Sequence, residues 1–207
     1  EENMVRRTNL INTFTSDVLR WRHPNRVGYS TKMTNLINAK DGRVHCDDPR
    51  QGEFRICVRG PEDYSQKELG YEFLPAKQIF SFYELRSAAL NLQNRPFEKQ
   101  DEATKKAIVD EMKKRIRAQF VTLVDKGIRH VVLSAFGCGA FKNCPKIVST
   151  LYASAIHEFR NKFDVICFSI FYAGCGENNA YIFHKTFKDT EVDFETFTHG
   201  YPTSSRV

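Results

Sequence analysis

The chain has 207 residues, with 41% hydrophobic and 27% charged, and its 31 Lys and Arg against 25 Asp and Glu leave a formal charge of +6. That balance belongs to a folded globular protein and excludes an intrinsically disordered one. A chain of this length can bury a sizeable core without disulfide or metal staples, and no apolar run approaches the roughly 18 residues of a membrane-spanning helix, so no membrane partner is expected.

The positive charge favours anionic partners only weakly, because the basic residues are scattered. The one dense basic run, Lys113, Lys114, Arg115 and Arg117, falls on the expected wet face of a helix. No aromatic residues interleave a basic stripe, so direct nucleic-acid binding is not expected. The six cysteines (Cys46, Cys57, Cys138, Cys144, Cys167 and Cys175) form no CxxC pair and have no paired histidines beside them, which argues against a zinc site. Cys57 and Cys167 lie in apolar runs and read as buried small hydrophobes. This usage suits a reducing compartment such as the cytoplasm. A secreted bacterial effector acting inside a host cell is the alternative placement.

In chain order, residues 1–15 read as a short helix with Met4, Leu10, Ile11 and Phe14 as a ragged apolar stripe. Residues 21–52 are polar and punctuated by Pro24, Gly28, Gly42, Pro49 and Gly52. They predict a long loop or insertion holding one short helix over 31–39. Alternating Phe54, Ile56 and Val58 predict a strand over 53–59 that ends at Gly60 and Pro61. A second strand over 79–85 runs into Ser87, Ala88 and Ala89.

The second half is more regular. Ile108, Met112, Ile116, Phe120 and Leu123 predict a helix over 101–125, and Gly127 is its stop. Val131, Val132 and Leu133 predict a short strand over 130–135, buried on both faces. It leads straight into Phe136, Gly137, Cys138, Gly139, Ala140 and Phe141. A helix over 145–159 follows, with Asn143 as its N-cap and Pro145 as an early helical residue. Residues 165–172 predict another buried strand, and residues 178–187 a last helix. This order predicts an α/β layered fold with central parallel strands.

The glycine loop is the strongest chemical signal. Glycines after a buried strand let backbone N–H groups approach a phosphate, with the positive end of the next helix behind them. Ligands in such sheets gather at the carboxyl ends of the strands. By spacing alone the loop is neither GxGxxG nor a Walker loop, and a plain strand–helix turn fits it equally well. Glu1 and Glu2 open the first helix, where acids also complement the helix dipole. Phe171 and Tyr172 end a strand and precede Gly174, Gly176, Glu177, Asn178 and Asn179. A ring exposed there can stack on a purine, whereas a buried one is simply core. Cys138 with His157 or His184 would make a thiol nucleophile, but a cysteine between two glycines is more simply a small side chain that fits.

Taken together, these residues resemble a known family. The run Ala135, Phe136, Gly137, Cys138, Gly139, Ala140, Phe141, followed by Asn143 and Pro145, is similar to the diphosphate-binding loop of poly(ADP-ribose) glycohydrolase macrodomains of the microbial type. Glu1 and Glu2, followed by Arg7, resemble the tail of that family's catalytic signature, a triple glycine and then Gln-Glu-Glu. The stretch Ser87 to Ala89 and the final strand leading to an Asn-initiated helix follow the same pattern. The resemblance implies a three-layer α/β/α macrodomain with a central mixed, largely parallel sheet. It also implies that the triple glycine and the first strands precede residue 1. Residues 1–207 would then be one macrodomain-like domain, its C-terminal portion, with an insertion over 21–74.

The implied activity is hydrolysis of the glycosidic bond of ADP-ribose units on ADP-ribosylated protein, as poly- or mono-ADP-ribose. The implied roles follow residue by residue. Glu2 protonates the leaving group and Glu1 orients the ribose. The backbone from Gly137 to Ala140 holds the diphosphate, with Ala135 and Phe136 leading into it. Phe141 packs on the distal ribose. Phe171 or Tyr172 stacks on the adenine, with Asn178 or Asn179 near it. No cofactor and no metal is implied, ADP-ribose being ligand or product. The partners are an ADP-ribosylated protein and an N-terminal fragment of the same protein. The alternatives are a non-catalytic ADP-ribose-binding macrodomain and a scaffold whose insertion docks a protein.

Overall fold

The computed structural model describes residues 45–46, 55–59, 70–83, 85–172, 174 and 176–195. The helices expected over 1–15 and 31–39 lie outside the described residues, as do Glu1 and Glu2. The chain falls into two compact units, one drawn from Glu1–Ala88 and Val121–Gly127, the other from Ala89–Phe120 and Ile128–Val207.

In the first unit, β1 (His45–Cys46) pairs antiparallel with β4 (Leu85–Arg86), and β2 (Arg55–Cys57) pairs antiparallel with β3 (Phe80–Phe82). The strand expected over 79–85 is therefore two strands, each half taking a different partner. The strand expected over 53–59 is regular only in β2. It continues as a single bridge from Arg59 to Phe73, where the Arg59 guanidinium lies 4.2 Å from the ring centre. Cys57 is buried, as its apolar run predicts.

The helix α1 (Glu102–Asp125) belongs to the second unit as far as Phe120. Asp101 starts this helix, because its carboxylate accepts the Thr104 amide at 2.8 Å and the Thr104 hydroxyl at 3.1 Å. Gly127 ends it at φ +70°, donating its amide to the Val124 carbonyl at 3.0 Å. The predicted stripe is the buried one. Ile108, Met112, Ile116 and Phe120 are all buried, each such side chain contributing roughly 1.5–3 kcal/mol. Arg115 departs from the expected wet face. It is buried, and its Nε donates to Glu111 one turn earlier at 2.9 Å, so the aliphatic stem packs inward while the charge stays paired.

β5 (His130–Leu133) and β6 (Val165–Phe168) form a parallel pair in register, Val131 beside Ile166 and Leu133 beside Phe168. Those four side chains face a core of Met112, Ile116, Phe120, Val148, Tyr152 and Phe183. The strands are buried on one face rather than on both. On the other face Val132 is 71% and Val165 51% exposed, and Cys167 beside Val132 is exposed as well, not buried. Helices pack on one side of this pair, and strict alternation carries every second residue to the other side. β6 also stops at Phe168, so the expected strand over 165–172 is halved.

α2 (Pro145–Glu158) follows β5, and α3 (Asn179–Asp189) follows β6. Tyr152 of α2 meets Phe168 edge-on at 5.0 Å, and Phe168 meets Phe187 of α3 at 5.1 Å. Between the two helices the fully buried Ser149 hydroxyl donates to Thr186 Oγ1 at 2.9 Å. This pair fixes the register of α3 on α2 where apolar contacts alone would let it slide.

Two surface carboxylates tie acid sensitivity to the fold. The Thr104 amide and hydroxyl hold Asp101 below the ordinary aspartate value of 3.8. The Arg129 guanidinium does the same for Asp164, which it binds through both carboxylate oxygens, Nε at 2.7 Å. Because both folded values lie below the unfolded one, their contribution is complete above about pH 4 and is lost as pH falls below it. Urea midpoints measured from pH 5 to pH 2 should fall less steeply in an Asp101→Asn, Asp164→Asn double variant than in the parent chain. Equal slopes would refute this.

Candidate functional site

The candidate site lies in the second unit, at the carboxyl end of the parallel pair. Both strands point the same way, and the Ser169 amide donates to the Leu133 carbonyl at 2.9 Å. The 134–144 loop and the 169–172 segment therefore leave the sheet along one edge.

The loop is built from hydrogen bonds of its own. The Cys138 amide donates to Ala135, the Lys142 amide to Gly139 and the Asn143 amide to Gly137, at 3.0, 3.1 and 3.0 Å. Gly137 takes φ +75° and Lys142 φ +57°. The left-handed region is easy for glycine and costly for lysine, so the surrounding bonds must hold Lys142 there. This pattern engages the Cys138 amide within the turn. The amides of Gly139 and Ala140 have no acceptor among the described residues, and both residues are exposed. The same loop leads on into α2, with Pro145 at its first position. Two open N–H donors in a loop that leads into the positive end of a helix suit an anion.

Asn143 does not cap α2; Cys144 occupies the cap position and supplies no side-chain bond. Asn143 instead points inward, 4% exposed. Its Nδ2 donates to the Leu90 carbonyl at 2.7 Å and to the Gly137 carbonyl at 3.0 Å. The Leu92 amide adds a bond to the Phe141 carbonyl at 2.9 Å. The segment beginning at Ala89 thus lies under the loop. A residue pattern reads an Asn before a helical Pro as a cap, and nothing in the spacing signals this inward brace.

The Cys138 thiol is half-buried and donates to the Phe136 carbonyl at 3.8 Å. Burial pushes it up to about 12, and the nearby Cys144 and Glu177 push in the same direction. It is therefore a neutral thiol near pH 7 and a poor nucleophile. With limiting iodoacetamide at pH 7.5, mass spectrometry should find Cys167 alkylated well before Cys138. Faster labelling of Cys138 would restore the thiolate reading.

The ring expectations fall on exposed positions. Phe171 is 78% and Tyr172 42% exposed. Asn178 caps α3, its Oδ1 accepting the Tyr181 amide at 3.0 Å, and Asn179 is the first residue of that helix. Ala135, Phe136, Cys138 and Phe141 are partly buried against the core. The structure thus gathers the glycine loop, the end of β6 and the start of α3 in one unit, while the acidic pair Glu1 and Glu2 lies outside the described residues.

This arrangement of parallel strands, glycine turn and helix start is that of an α/β macrodomain fold. The solved structures that share this fold with the chain include poly(ADP-ribose) glycohydrolases. The enzyme of Deinococcus radiodurans in complex with ADP-ribose aligns with a TM-score of 0.51 at 17% identity, over 69% of this chain and 58% of that one. A point mutant of the same enzyme, also with ADP-ribose, gives 0.52 at 16% identity over 69% and 58%. A point mutant of the glycohydrolase of Thermomonospora curvata aligns more loosely, at 0.49 and 20% identity over 67% and 52%, below the level at which a shared fold follows. The chain thus spans about 58% of the length of the Deinococcus enzyme. No protein-family model matches the sequence, and no curated protein matches it significantly.

Proposed function

We propose that this chain binds ADP-ribose and contributes to hydrolysis of its glycosidic bond on ADP-ribosylated protein. The observation that carries the reading is the pair of open amides at Gly139 and Ala140, set between a parallel strand and the start of α2. The diphosphate would lie across these amides. The adenine would stack on Phe171 or Tyr172, with Asn178 or Asn179 beside it. The distal ribose would pack against Phe141.

Bond cleavage passes through an oxocarbenium-like ribose and needs an acid at the leaving oxygen. Glu2 would give that proton and then take one from the attacking water, so that the carboxyl ends as it began. Glu1 would orient the ribose. Calorimetry of the full chain with ADP-ribose tests the binding half, and release of ADP-ribose from modified protein tests the hydrolytic half. Binding without release would reduce the reading to that of a non-catalytic ADP-ribose-binding domain. No heat with ADP-ribose would remove it altogether.

A further inference from the structure

We propose that Asn143 is the positioning residue of the anion loop, acting through Gly137 and not by touching the ligand. The inference rests on the reading of the loop as the diphosphate site. Both acceptors of Asn143 Nδ2 are carbonyl oxygens, those of Leu90 and Gly137. Only an amide nitrogen can serve both, so the orientation of the side chain is fixed by chemistry. Asp at 143 would turn a carboxylate on two carbonyls, and Ala would leave both part-buried carbonyls without this donor.

The consequence runs along the backbone. The Gly137 carbonyl receives two bonds, from the Asn143 amide and from its side chain, each 3.0 Å. That fixes the plane of the 137–138 peptide, whose amide points back to the Ala135 carbonyl at 3.0 Å. With this peptide turned inward, the next two amides, Gly139 and Ala140, are the ones left open. The bond to Leu90 anchors the assembly to a second segment, so the loop cannot swing as a free hairpin. Asn143 also occupies the space a side chain at 137 would need, its Nδ2 only 2.6 Å from where that Cβ would sit. The brace and the glycine therefore require each other. A loop held in its binding shape before the ligand arrives avoids an ordering cost on binding.

The test titrates the full chain with ADP-ribose and with adenosine by NMR, in the parent and in Asn143→Ala. The expected result is an ADP-ribose affinity weaker by about tenfold or more, the scale of about 1.4 kcal/mol. Adenosine, which has no diphosphate, should bind both proteins equally. Parallel weakening of the two ligands, or none, would overturn the proposal. Should Asn143→Ala fail to fold, the parent chain decides alone. Its Asn143 side-chain amide protons should exchange slowly and keep their shifts on adding ADP-ribose, while the Gly139 and Ala140 amides move. Fast exchange, or a large shift of the side-chain protons, would show a loose or ligand-touching Asn143 and overturn the assignment. If the parent chain binds no ADP-ribose, the functional reading fails, and protected side-chain protons would still show the brace itself.

Discussion

Gly137→Ala is expected to lower stability by about 2–5 kcal/mol, because two independent costs add at one position. The first is backbone conformation. At φ +75° an alanine pays roughly 1–2 kcal/mol that glycine does not. The second is space. A Cβ there would sit 2.4 Å from the Ala89 Cβ and 2.6 Å from Asn143 Nδ2, and overpacking of this kind costs roughly 1–3 kcal/mol. Ala89 has no rotamer to retreat into, and Asn143 can move only by breaking its bonds to Leu90 and Gly137. Gly139→Ala is the control two residues away. Its φ is unstrained and its Cβ would meet nothing within 4 Å, so stability should change by less than about 0.5 kcal/mol. Urea unfolding of both variants checks the pair. Equal stability at 137 and 139 would mean that the loop does not hold the shape described. Gly139→Ala should still weaken ADP-ribose, since the new methyl stands where a phosphate would approach an open amide.

What the sequence made legible follows from periodicity. The stripe Ile108, Met112, Ile116, Phe120 is helical and buried because an amphipathic helix has one way to hide it. The glycine loop was visible because glycine, unlike other residues, reports backbone geometry directly. Three features escaped, each for a physical reason. Val132 and Cys167 sit in apolar runs yet face outward, because a run says that a strand is apolar and not which side is covered. Arg115 reads as surface, but its Glu111 partner lets the stem pack inward. Asn143 has the local grammar of a helix cap, and its true partner, Leu90, lies 53 residues away. Long-range polar pairing leaves no periodic trace. The same limit applies to the ends of elements, where β6 stops at Phe168 although apolar residues continue to Tyr172.

Glu2→Gln is expected to reduce release of ADP-ribose from modified protein by about 10²–10⁴-fold, the usual contribution of a positioned general acid, and to change ADP-ribose affinity by less than about threefold. Glutamine keeps the size and the hydrogen-bonding reach of glutamate but has no proton to give, so it separates chemistry from binding. The pH profile carries a second, independent sign. The sequence predicts a helix start at position 2, where the charged form of a carboxyl would be favoured, whereas a general acid must be protonated when the ligand is bound. As the proposed acid, Glu2 would meet the negative charge of the diphosphate in the complex, which raises a carboxyl pKa. Protonation of Glu2 should therefore be coupled to ligand. Its carboxyl, followed by NMR, should titrate at higher pH in the ADP-ribose complex than in the free chain. An unchanged titration with lost turnover would leave Glu2 as an orienting group, and the acid would then be sought at Glu1, where Glu1→Gln should carry the larger loss. Full activity in both variants would detach the acidic pair from the reaction, leaving the glycine loop as a binding site alone.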